Sequence, residues 1–241
     1  MGSIYTGIMS KDGFVFATND IFGDSDCDCS IVRVNSLCGG FIVTARGGLL
    51  PAVSRTLAEC FSCLERLPPG ITRSLAGEII DAFGKNRLND PDSASRPMPF
   101  LLLLIGYRQG LPRGLEHVFI RNRVTGISME NGKKAYATAF DTRPPEPAEN
   151  LFYGHAELSR YLSMRLQAKD LDDEAAELLS YMSVTETQKI DGSMDPGIRM
   201  ATLSARDGFG WLDEESLRRL SARSRAAGDM LARGLFEKFH A

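Results

Sequence analysis

An α+β fold built as a four-layer α/β/β/α sandwich of two antiparallel sheets is predicted by the way two periodicities alternate along the chain. Short β-prone runs bounded by turn residues come first, and paired segments of helical spacing follow. The same alternation then repeats before a final hairpin and a closing helix. Such a chain buries its apolar faces when two sheets stack and a helix pair covers each outer face. Residues 1–241 are expected to form one domain.

The first run is Ile4-Tyr5-Thr6-Gly7-Ile8, and after Lys11-Asp12-Gly13 comes Phe14-Val15-Phe16-Ala17-Thr18-Asn19-Asp20, which together read as a hairpin. Ser30 to Asn35 and Gly40 to Thr44 read as a second hairpin, so four strands precede the first helix. From Pro51, a residue suited to a first helical turn, Val53, Leu57, Cys60, Phe61, Leu64 and Leu67 fall at helical spacing until Pro68-Pro69 ends the pattern. Ile71, Leu75, Ile79, Ile80 and Phe83 repeat that spacing. The polar, proline-bearing stretch Asn89 to Pro99 reads as a loop. Phe100 to Ile105 is a continuous apolar run, the pattern of a strand covered on both faces, and Glu116 to Ile120, Thr125 to Ser128 and Ala135 to Thr138 follow as strands. Helices are expected from about residue 150 to 166 and 172 to 184, the second opened by acidic residues that suit the positive end of a helix. Ile198 to Ala205 and Phe209 to Leu212, joined at Asp207-Gly208, form the last hairpin, and Glu214 to Phe239 the last helix.

Composition sets function-level bounds. A formal net charge of -3 with dispersed basic residues gives no footprint for nucleic acid. The longest apolar run, Phe100 to Ile105, is far short of the roughly 20 residues of a membrane helix, and no charged start followed by an apolar signal segment is visible. The five cysteines follow no zinc spacing and suit reduced thiols, so a cytoplasmic protein is expected. Asp24, Asp26 and Asp28 alternate with Cys27 and Cys29 but lack the glycine and final glutamate of a calcium loop, and no metal or cofactor is expected. His117, His155 and His240 are scattered and suggest no triad.

The amino-terminal segment, with Gly2-Ser3 leading into the first strand and Lys11-Asp12-Gly13-Phe14-Val15-Phe16-Ala17-Thr18 forming its turn and second strand, resembles the first hairpin of proteasome-type subunits. In that family, part of the N-terminal-nucleophile hydrolase superfamily, a Gly-Thr bond is cut to free a threonine whose own amino group is its base. The resemblance implies the four-layer fold and places Ser3 at the nucleophile, freed by loss of Met1 and Gly2. A hydroxyl needs a base to become nucleophilic, and an α-amino group titrating at roughly 7.7 to 8.0 is well matched.

Other family positions carry over one by one. The acid expected sixteen positions after the nucleophile falls on Asn19, with Asp20 beside it. The lysine of the third strand is replaced by Arg33, which stays charged, cannot shuttle a proton, and would act on the local potential; read alone, Arg33 is an outward residue of an alternating strand. Ala45-Arg46-Gly47-Gly48 resembles the turn whose backbone N–H stabilises the oxyanion, which assigns that donor to Gly47. Asp191, in Ile190-Asp191-Gly192-Ser193, matches the acid that steadies the terminal amine, while Ser193 stands about one residue off register. A further family serine after the strand ending near Thr138 has no counterpart.

The resemblance therefore implies a divergent proteasome-like subunit in a homo-oligomeric ring, with a peptide or amide substrate if Ser3 is freed. Two other readings stay open: a catalytically inactive, ring-forming structural subunit, and a small-molecule amidase or acyl transferase. The arginine-rich, amphipathic segment from Leu217 to Phe239 suits either an intramolecular or an intersubunit face.

Overall fold

Strand β1 (Ile4–Met9) is an inner strand of a five-stranded sheet, one place from its edge, with a neighbour on each side and no exposed face. The structure is a computed structural model that describes residues 4–19, 31–44, 100–107, 115–130, 133–142, 146–154, 156–165, 171–190, 192 and 197–239. The chain divides into two compact units. One comprises Met1–Asp20, Asn150–Thr202 and Gly210–Ala241, and the other Ile21–Glu149 and Leu203–Phe209.

In the first unit β1 pairs antiparallel with β2 (Gly13–Thr18) through the register Tyr5↔Thr18 to Met9↔Phe14. The turn at Lys11-Asp12 is closed by the Ser10 N–H donating to the Gly13 carbonyl at 3.0 Å. The alternation of β1 and β2 separates two apolar sets. Ile4, Ile8, Val15 and Ala17 join Ala176, Leu179 and Val184 in one buried cluster. The last three belong to helix α2 (Asp173–Ile190), which therefore lies over this face of the sheet; it follows helix α1 (Glu157–Arg165). Phe14 and Phe16 occupy the other face, with ring centroids 4.9 Å apart. Helix α3 (Glu214–Phe239) adds Leu220 to the cluster.

The amino ends of α2 and α3 are held by aspartates. Asp172 accepts the Ala175 N–H and Asp213 the Ser216 N–H, each at 2.8 Å, which satisfies donors a helix start leaves open. The bond from Ser216 holds the Asp213 carboxyl below its ordinary range.

The second unit carries an antiparallel sheet of β3 (Ile31–Asn35), β4 (Cys38–Thr44), β5 (Phe100–Tyr107), β6 (Leu115–Glu130) and β7 (Lys133–Thr142) in that order, with the short β8 (Glu146–Pro147) also on β6. Leu102 to Ile105 are buried without a break, so the apolar run is covered on both faces, as expected.

Two expectations are corrected. The region from 150 does not start as a helix: Leu151–Gly154 forms strand β9, paired with β1 from Ile4↔Gly154 to Gly7↔Leu151, and α1 begins only at Glu157. Four residues are too few for a period to show, and their place is set by an open strand edge contributed from far away in sequence. The two short strands expected within 116–128 are one, β6, which absorbs the polar Arg121-Asn122-Arg123 and shifts register between Val124 and Gly126 while staying paired with β7. β10 (Arg199–Ser204), β11 (Gly208–Trp211) and the last helix fall where they were expected. The helix pair expected from Pro51 to Phe83 lies outside the described residues.

Candidate active site

The start of β1 is the place to which the sequence assigns a nucleophile. Ser3 itself lies outside the described residues, but the strand that follows it is closely held. Ile4 is 0% exposed and anchored in the core under α2. On the β2 side the ladder ends at Tyr5↔Thr18, and Asn19 stands one register step further, across from Ile4. There the Asn19 side chain replaces the ladder, its Oδ1 accepting the Ile4 N–H at 2.7 Å within a buried environment. On the β9 side Ile4 faces Gly154, whose φ of 72° is left-handed and turns the chain away toward α1.

The other end of the strand has the same device. The Met9 N–H donates to Asn150 Oδ1 at 2.7 Å, and Asn150 Nδ2 donates to Ser163 Oγ on α1 at 3.1 Å. Side-chain amides of Asn19 and Asn150 thus hold both ends of β1. Between them Thr6, also 0% exposed, shares the helix-facing side with Ile4 and Ile8, and its Oγ1 has no partner among the described residues. Ser180 and Ser183 on the buried side of α2 likewise have hydroxyls without a partner among the described residues.

Asn19 and Arg33 are the two sequence-assigned site residues that fall within the described residues, and they belong to different units. Arg33 is exposed on β3 between the buried Val32 and Val34, opposite Gly39 in the register with β4. Gly47 and Asp191 lie outside the described residues, as do Asp20 and Ser193. Cys38 is a poor rival nucleophile: it is 0% exposed, and burial pushes its thiol far above the ordinary range, so the reactive thiolate is not available.

Compared with solved structures, the chain is similar to Anbu (ancestral beta-subunit) from Yersinia bercovieri, at 12% sequence identity and a TM-score of 0.60, over 96% of each chain. The fold is proteasome-like. At this identity the likeness bears on the fold alone. No family model matches the chain, and no curated protein matches it in sequence.

Against this proteasome-like frame, Asn150 is a residue that the sequence reading missed as a support of β1. Its signal was an Asn just before the apolar run Leu151-Phe152-Tyr153, but such an Asn equally suits a helix cap, and only the pairing of β9 with β1 distinguishes the two roles.

Proposed function

We propose that this chain is a proteasome-like subunit of the N-terminal-nucleophile type, acting as a hydrolase on peptide or amide bonds once Met1 and Gly2 are removed. The whole-chain likeness to Anbu carries this reading, together with a potential nucleophile at the residue preceding the buried, doubly paired β1. In the proposed reaction the freed amine of Ser3 takes the proton of its own Oγ, which attacks the substrate carbonyl. The Gly47 N–H stabilises the oxyanion, Arg33 and Asp191 shape the local potential, and the protonated amine passes its proton to the leaving amine. Water then releases the acyl group from Ser3. We further propose the four-layer arrangement as one domain, a cytoplasmic location and a homo-oligomeric ring.

A second reading, the catalytically silent ring subunit, is favoured by one observation. Asn19, at the position of the expected acid, is a neutral amide that accepts a backbone N–H. The deciding experiment is the intact mass of the untagged protein, followed by hydrolysis of a mixed peptide library. An amino terminus at Ser3 and cleavage abolished by Ser3→Ala are expected. A terminus at Met1 or Gly2 with no cleavage would replace the enzyme reading by the structural one.

A further inference from the structure

We propose that Asn19 is a positioning residue: its carbonyl, not a charge, fixes the start of β1, the strand that follows Ser3 in the sequence. The inference rests on the proposed role of Ser3 for its consequence in catalysis, while the clamp itself stands on geometry. Chain ends fray unless tied down. Beyond Tyr5↔Thr18 the β2 strand has ended, so the Ile4 N–H on that side needs an acceptor from elsewhere. Asn19 Oδ1 supplies it at 2.7 Å. The residue is 1% exposed and Ile4 is 0% exposed, so water does not compete for this bond.

An amide also explains the departure from the expected acid. A carboxylate buried at this point would require a compensating cation, whereas an amide oxygen accepts the same N–H without introducing charge. Position 19 is thereby committed to the backbone of the strand that carries the candidate nucleophile. Reactions are sensitive to misplacement of a nucleophile by an ångström or so, and a loose strand start has that effect without altering any reacting group.

The test separates clamp from catalysis by reading the Ile4 amide directly. Solvent exchange of that proton is measured by NMR in the wild type, Asn19→Ala and Asn19→Asp, with Phe16 in β2 as the internal reference. Loss of the acceptor in Asn19→Ala is expected to speed Ile4 exchange about tenfold, with Phe16 unchanged. Asn19→Asp retains an acceptor oxygen and, compared with the wild type at a pH low enough to protonate the new carboxyl, is expected to restore protection, because the neutral acid presents the same carbonyl. Unchanged Ile4 exchange in Asn19→Ala would overturn the proposal. So would lost protection in a folded Asn19→Asp whose carboxyl is protonated, because the amide N–H₂ would then be the essential group; this variant decides the matter alone if Asn19→Ala does not fold.

Acetylation of Ser3 by p-nitrophenyl acetate, read by intact mass on the processed protein, supplies the functional arm. It is expected to slow in Asn19→Ala. A wild type that is never acetylated at Ser3 refutes the enzyme reading, and the exchange data still judge the clamp.

Discussion

Replacing Gly208 by alanine is expected to loosen the turn of the β10–β11 hairpin, and the structure sets the size of the effect. Gly208 has a φ of 75°, a conformation that costs an L-residue about 1 to 2 kcal/mol. A Cβ there would stand 2.5 Å from the Ser36 carbonyl oxygen. That oxygen already accepts the Phe209 N–H at 2.7 Å, so the Cβ and the oxygen cannot separate without straining that hydrogen bond, a further ~1 kcal/mol. Moving Phe209 is itself resisted, because its ring lies so close to Gly39 that a Cβ on Gly39 would overlap it. Alanine returns about 0.5 kcal/mol by restricting the unfolded chain. The net expectation is a loss of about 2 kcal/mol, a shift of ~0.7 M in the urea midpoint for an m-value of about 3 kcal/mol/M. Gly210→Ala is the control: two residues along the same strand, its Cβ would meet only Thr202 Oγ1 at 3.9 Å, and stability is expected to hold or rise slightly. Equal midpoints for Gly208→Ala and Gly210→Ala in urea titrations followed by circular dichroism would refute the reasoning.

Glu177 on α2 has its carboxyl raised above the ordinary 4.5 by burial first and by Asp173 second, with Arg219 and Arg223 acting in the opposite sense. Because the folded value exceeds the unfolded one, the protonated form favours folding, and this contribution is lost as the pH rises through the folded value. Glu177→Gln should therefore match the wild type in stability below about pH 4.5 and exceed it near neutrality in thermal melts across pH; a constant difference would exclude the linkage. Ser180→Ala and Ser183→Ala each remove a buried hydroxyl without a partner among the described residues and should stabilise the protein by about 1 kcal/mol in urea titrations. A loss of similar size would mean that these hydroxyls are satisfied by buried water.

The outline of the fold was legible wherever local chemistry was sufficient. Lys11-Asp12-Gly13 between two β-prone runs announced the first hairpin, and the apolar run at Phe100 announced a strand buried on both faces. The arginine-rich, amphipathic pattern from Leu217 to Phe239 marked the last helix. The candidate site was legible only as positions. Counting from Ser3 reached Asn19, yet the count predicted an acid's place and not an amide's task.

By itself, then, the sequence determined the elements whose signal is local, among them β1, β2, β5 and the last helix, because periodicity and turn chemistry act among residues a few positions apart. Tertiary structure decided what those segments do for one another. Asn150 reaches Met9 across 141 positions, and Leu151–Gly154 is a strand because β1 presents it an edge. The physical reason is the same in both cases. A backbone N–H in a buried strand must find an acceptor, and which residue supplies it depends on what folding brings alongside.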